Sequence, residues 1–201
     1  MLDGKVRQII EPTLDRMGGA LAAAGVSANA VTFAGLATGL AAALLIAFEA
    51  YLAGLAVLLI SRLADGLDGA VARHSGTTDL GGFLDIVSDF AFYGAVPLGF
   101  VFADPAANGV AGAVLIFSFY VNGASFLAYA IMAEKQGLTT MARGSKSLYF
   151  TTGLAEGTET IAVFCAFCLF PTAFTPIAIV FATICFVTAG ARVLLAMRTF
   201  D

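Results

Sequence analysis

Residues 28–48 read ANAVTFAGLATGLAAALLIAF, a stretch without one charged side chain, closed by Glu49. As a helix it would rise roughly 30 Å, the thickness of a bilayer's hydrocarbon core. Comparable runs follow on both sides of short polar breaks: about Leu52 to Ala72, Gly82 to Phe102, Gly109 to Met132, Leu148 to Phe170 and Pro176 to Ala196. The third ends at Asp104-Pro105 and the fifth at Pro171. Composition agrees with this pattern. Apolar residues make up 60% of the 201, charged residues only 12%, and mean hydropathy is +0.93. A soluble domain carries about a quarter charged residues, so a water-facing surface cannot be assembled from this chain. The 22 Gly follow no period and Pro numbers only 5, which excludes collagen and disorder.

The reading is therefore an all-α integral membrane protein with six transmembrane helices, in one domain spanning 1–201. The bundle would occupy 28–198. Residues 1–21 mix Val6, Ile9, Ile10, Leu14 and Met17 with Lys5, Arg7, Glu11, Asp15 and Arg16, which suits an amphipathic helix lying in the membrane interface. A solvated tail is the alternative. This segment lacks the basic–apolar–small order of a signal peptide and is expected to stay on the mature protein. All ten basic residues fall before the first span, in the 2–3 and 4–5 connections, or at the C-terminal end. The positive-inside rule then puts both termini and those connections in the cytoplasm.

A net charge of −4 gives no basis for nucleic-acid binding. Cys165, Cys168 and Cys185 lie in apolar runs, where cysteines pack rather than react.

The chemistry concentrates in residues 62–89, RLADGLDGAVARHSGTTDLGGFLDIVSD. Five Asp fall there, four of them at the ends of membrane helices. An Asp at the centre of a span costs ~3 kcal/mol on insertion scales. Several such costs call for compensation, and a metal ion is the usual one. Asp65 and Asp68 share one helix face at spacing i,i+3, and Asp85 and Asp89 share another at i,i+4. The short turn between makes the helices antiparallel neighbours, so four carboxylates converge. An all-oxygen site of high charge suits Mg²⁺ or Mn²⁺. With Arg73 close by, it suits a phosphate or diphosphate ligand. Gly69 is expected to admit a ligand, Gly81 to serve helix packing, and Asp79 to cap the following helix. His74 reads as a solvated loop residue. Intramembrane carboxylates also build proton relays and cation pathways, so a transporter remains open at this point.

The pattern Asp65-x-x-Asp68-Gly69-x-x-Ala72-Arg73-x7-Gly81-x-x-x-Asp85-x-x-x-Asp89 resembles the signature of the CDP-alcohol phosphotransferase (phosphatidyltransferase) family at all eight specified positions. The six spans, the amphipathic N-terminal helix and a first span opening Asn29-x-x-Thr32-x-x-Gly35 resemble its bacterial members. The resemblance implies an enzyme that transfers a phosphatidyl group from CDP-diacylglycerol to an alcohol and releases CMP. Asp65, Asp68, Asp85 and Asp89 would bind two divalent metals, and Asp89 would also be the general base. Gly69, Ala72 and Arg73, with Asp65, would form the CDP site, and Asn29 and Thr32 would line the nucleotide cavity.

The resemblance also implies a homodimer in the bacterial inner membrane with its site facing the cytoplasm. Gly35-x-x-x-Gly39 and Gly153-x-x-x-Gly157 would permit close helix contacts, within or between protomers. The acceptor alcohol is left unassigned: glycerol 3-phosphate, phosphatidylglycerol or another polar alcohol. A CDP-amino-alcohol donor acting with diacylglycerol is the alternative within the family. Arg143, Lys146 and Arg192 are candidate acceptor cations, or topology determinants. Glu156 and Glu159 would face the bundle interior, recognising the acceptor or pairing with a cation such as Arg192 or Lys146.

Overall fold

A computed structural model describes residues 3–138 and 157–200, with side chains from residue 10 onward. The described residues form seven α-helices: α1 (Asp3–Ala23), α2 (Ala28–Ala47), α3 (Tyr51–Ser75), α4 (Asp79–Ala103), α5 (Pro105–Lys135), α6 (Gly157–Leu169) and α7 (Phe174–Thr199). A single 3₁₀ turn, Pro171–Ala173, joins the last two. Five of the expected apolar runs coincide, to within a few residues at their ends, with α2, α3, α4, α5 and α7.

The caps are local chemistry. The Ser27 hydroxyl accepts the Ala30 N–H at 3.3 Å, and the Asp104 carboxylate accepts that of Ala107 at 2.9 Å, with Pro105 at the first helical position. At α4 the cap is Thr78 rather than the expected Asp79. Thr78 has extended backbone angles and its hydroxyl accepts the Gly81 N–H at 3.0 Å. Asp79 is already helical, where its charge favours the positive helix end.

Among the described residues, four stretches are long and apolar enough to cross a membrane: Ala28–Ala47, Asp79–Ala103, Pro105–Lys135 and Pro171–Thr199. Helix α3 misses that standard because Arg62, Asp65 and Asp68 interrupt it. Of the expected fifth span, only residues 157–170 are described, and 13 of them form α6.

Helix α2 packs on α3 and α4, α1 on α3, α5 on α7, and α4 on α5. The core is aromatic: Phe92, Phe100, Phe164, Phe167 and Phe174 are all fully buried, with the Phe100 and Phe174 rings stacked at 4.9 Å. Side chains such as Leu44, Phe48, Val110 and Phe117 remain exposed, as a lipid-facing surface requires. Cys168 and Cys185 are buried in this core and all three cysteines are free.

Gly35 and Gly39 work inside the chain. A Cβ on Gly35 would lie 3.3 Å from Ala64 Cβ, and one on Gly39 2.7 Å from the Phe92 ring. They let α2 settle against α3 and α4, which carry the acids. Gly153 lies outside the described residues.

Candidate active site

Helices α3 and α4 are not the closely packed neighbours that the short turn suggested: both pack on α2, and acids from the last turns of α3 and the first turns of α4 reach toward one another beside it. Asp65, Asp68 and Asp85 each turn a carboxylate oxygen inward, all within 4.8 Å of one another. Like charges that close repel strongly unless a cation sits among them. An all-oxygen donor set is what a hard divalent ion such as Mg²⁺ or Mn²⁺ takes, so the residues present fit one.

Asp68 is the buried member, 5% exposed, and α2 holds it: the Thr32 hydroxyl donates to its Oδ2 at 2.7 Å. Asp89 is engaged differently. Arg62 Nη1 lies 2.9 Å from Asp89 Oδ1 and 3.3 Å from Asp65 Oδ1. One guanidinium thus joins a carboxylate of α4 to one of α3. Its carbon sits 3.6 Å from the centre of the Phe92 ring, and its Nη2 donates to Ser61 Oγ at 3.3 Å. Ser61 in turn donates to the Gly35 carbonyl at 2.7 Å.

Beside the acids opens a cavity of about 540 Å³. Asp68, Gly69 and Ala72 of α3, Gly81, Gly82 and Asp85 of α4, and Asn29 and Thr32 of α2 line it. The turns at 25–28 and 75–78 complete the wall. A Cβ on Gly69 would find only Arg73 Nη1, at 3.9 Å, and one on Gly82 nothing within 4 Å. Both glycines therefore leave backbone open to the cavity. Gly81 differs, since its Cβ would lie 3.1 Å from Thr78 Oγ1 and 3.4 Å from Asn29 Oδ1, a tight contact between α4 and α2.

A sequence model of CDP-alcohol phosphatidyltransferases matches residues 25–189. This chain belongs to that family. The Escherichia coli (strain K12) inner membrane protein YnjF is 44% identical over 193 residues, covering 96% of this chain and 94% of its own length. An archaetidylinositol phosphate synthase of Pyrococcus horikoshii is 36% identical over 91 residues, 42% of this chain and 46% of its own. Mycobacterium tuberculosis phosphatidylinositol phosphate synthase, solved in complex with manganese and citrate, superposes with a TM-score of 0.70 at 25% identity. That match covers 90% of this chain and 87% of that one. The same synthase with CDP-DAG bound gives 0.62 at 25% identity, over 93% and 91%.

The remaining described candidates of this CDP-alcohol phosphatidyltransferase do not line the cavity. Arg73 turns to α1, its Nε 3.6 Å from Asp15 Oδ1, and half its side chain is exposed. His74 is not merely solvated. Its Nε2 lies 3.3 Å from the same oxygen, and a Cβ on Gly19 would touch its ring at 3.3 Å. Arg192 is tied to α5: its Nη1 donates to the Asn122 carbonyl at 2.9 Å, Asn122 Oδ1 at 3.0 Å and Ser125 Oγ at 2.6 Å. Glu159 sits half-buried in the first turn of α6. Arg143, Lys146 and Glu156 lie outside the described residues.

Arg62 is the site residue the sequence reading missed, taken there only as a topology charge. Its i,i+3 spacing to Asp65 was the available signal. Its second partner, Asp89, is 27 residues away and needed the fold.

Proposed function

We propose that this chain transfers a phosphatidyl group from CDP-diacylglycerol to a polar alcohol with release of CMP. The observation that carries the reading is the juxtaposition of three inward carboxylates with a cavity of about 540 Å³ walled by open glycine backbone. Membership of the family and likeness to a synthase solved with manganese, and separately with CDP-DAG, support it.

In this reading Asp65, Asp68, Asp85 and Asp89 hold two Mg²⁺ or Mn²⁺ ions, which when bound neutralise the diphosphate and stabilise the departing CMP. Gly69 and Gly82 let the nucleotide approach the backbone, while Ala72, Asn29 and Thr32 shape its cavity, and Arg73 exchanges its Asp15 contact on α1 for the phosphates when the donor binds. Asp89 takes the proton of the acceptor hydroxyl, and the oxygen so activated attacks the donor's β-phosphorus, the one bearing the diacylglycerol, displacing CMP. The acceptor is a polar alcohol: glycerol 3-phosphate, phosphatidylglycerol, an inositol phosphate or a related hydroxyl compound. Arg143, Lys146 and Glu156 are the residues assigned to it.

The proposal includes the membrane arrangement. The protein is a single domain of six spans in a bacterial inner membrane, both termini cytoplasmic, with α1 in the cytoplasmic interface and the site opening to the cytoplasm. Helix α3 spans by its apolar first part and carries its acids at the cytoplasmic end. A homodimer is the proposed assembly.

The test is CMP release by the purified chain in detergent with Mn²⁺ or Mg²⁺, CDP-diacylglycerol and a panel of acceptors. The panel is glycerol 3-phosphate, phosphatidylglycerol, serine, inositol, inositol phosphate, choline and ethanolamine. Release with one acceptor, lost on chelation and in Asp89→Asn, is expected. No release with any acceptor, and none from CDP-choline with diacylglycerol, overturns the reading and favours a transporter.

A further inference from the structure

Arg62 places a fixed cation beside the carboxylate cluster, and it is built in rather than draped over. Its side chain is 14% exposed. Phe92, itself fully buried, closes one face of the guanidinium, and Ser61 anchors the edge. From this position Nη1 reaches one oxygen of Asp89 and one of Asp65, each a 32% exposed side chain. An arginine cannot lose its proton, so its charge is permanent.

We infer that Arg62 is an internal counter-ion of the four-Asp site, a positioning residue that fixes Asp89 and Asp65 and tempers the site's affinity for divalent cations. The inference rests on the proposed metal-dependent reading. Two effects follow from the geometry. By taking one oxygen of each carboxylate, Arg62 sets the direction in which the other oxygen points and links α3 to α4 through a charge-assisted bond. By adding one positive charge beside the cluster, it also opposes the entry of a second cation. A site of four carboxylates alone would hold ions tightly and release them slowly. With Arg62 present, the four acids carry three uncompensated charges, and bound ions remain exchangeable.

The experiment uses the full chain in detergent and reads ion affinity and melting, apart from turnover. Mn²⁺ binding is followed by the loss of the free-ion signal in electron paramagnetic resonance, and melting is measured in EDTA. Three proteins are compared with wild type: Arg62→Met, Arg62→Lys and Arg62→Met/Asp89→Asn. Arg62→Met is expected to bind Mn²⁺ roughly ten-fold tighter or more, since a unit charge has left the site. It is also expected to melt several degrees lower in EDTA and to regain more of that loss on Mn²⁺ addition than wild type gains. Arg62→Lys, which keeps the charge, should keep wild-type affinity. The double variant should recover melting in EDTA, because the uncompensated carboxylate has gone.

A purely structural Arg62, packing on Phe92, would lower melting equally in EDTA and Mn²⁺, leave Mn²⁺ affinity unchanged and show no recovery in the double variant. Any of those three results overturns the inference. Should Arg62→Met not fold, the comparison of Arg62→Lys with the double variant decides it: equal Mn²⁺ affinity per remaining carboxylate would overturn it. Failure of the underlying reading looks different, since neither wild type nor any variant would then bind Mn²⁺.

Discussion

The Thr32 hydroxyl donates to Asp68 Oδ2 at 2.7 Å, with both residues almost wholly buried. Thr32 belongs to α2 and Asp68 to α3, so this one bond ties the first apolar helix to the acid least accessible to water. The same hydroxyl lies 3.1 Å from the Ala28 carbonyl one turn back, and it has a single proton to give. The shorter contact, to a charged acceptor, is the stronger one. Asp68 is thereby held in one orientation within the cluster it forms with Asp65 and Asp85.

Thr32→Val keeps the shape of the side chain and deletes the donor. Partners behind a metal ligand typically govern 10- to 100-fold in affinity or activity, and roughly that loss is expected in the Mn²⁺ dependence of CMP release. Thr32→Ser should retain most of the wild-type response. Titrating Mn²⁺ against initial rate for the two variants checks this; equal curves would remove Thr32 from the site.

Two glycines on neighbouring helices should answer oppositely to alanine. On Gly39 a Cβ would meet Phe92 Cδ2 at 2.7 Å and Ser61 Oγ at 2.9 Å, both in the packed interior. Overpacking of that kind costs about 1–3 kcal/mol, so Gly39→Ala should melt lower. On Gly69 a Cβ meets only a flexible arginine tip at 3.9 Å, and alanine is the better helix former by roughly 0.5–1 kcal/mol. Gly69→Ala should therefore melt no lower than wild type. Its methyl group intrudes on the cavity, however, and KM for CDP-diacylglycerol should rise roughly ten-fold or more. Melting and steady-state kinetics on the same two preparations separate the cases.

These contrasts mark how far the sequence can be read. The helices were legible because uninterrupted apolar runs leave few alternatives in a chain with 12% charged residues. The convergence of Asp65, Asp68 and Asp85 was legible from their spacing and the short turn, but the expected packing of α3 on α4 was not what produces it: α2 holds both helices. What escaped were contacts between residues far apart in sequence. Arg62 meets Asp89 and Phe92 only once α3 and α4 have both docked on α2, and Arg192 meets Asn122 and Ser125 across 67 to 70 residues. The exchange of Thr78 for Asp79 as cap is a smaller miss of the same origin. Both side chains can cap a helix, and only the backbone angle of residue 78 decides between them.

Arg192 was a candidate for binding the acceptor, and its contacts indicate another role. Three oxygens on α5 share its Nη1, among them a backbone carbonyl. Arg192→Met would remove this charged donor from the half-buried α5–α7 contact. Losing hydrogen bonds from a charged group costs about 1.5–3 kcal/mol, read as a lower melting temperature in detergent. Relative rates across the acceptor panel should stay constant. A selective loss with phosphate-bearing acceptors, at unchanged melting, would restore the acceptor role.

Asp85 and Asp89 should differ although they share a helix face. Asp85 turns its oxygen into the three-carboxylate cluster, whereas Asp89 is held by Arg62 at its edge. If Asp85 serves only to hold cations, Asp85→Asn weakens their binding, and raising Mn²⁺ should recover part of the lost rate. If Asp89 also removes the acceptor proton, Asp89→Asn abolishes a step that added metal cannot replace. Loss of a general base costs roughly 10²- to 10⁴-fold, and that deficit should persist at every Mn²⁺ concentration. The measurement is initial CMP release for both variants over a wide Mn²⁺ range. Recovery of Asp89→Asn to the level of Asp85→Asn would reduce Asp89 to a ligand and move the base to another residue.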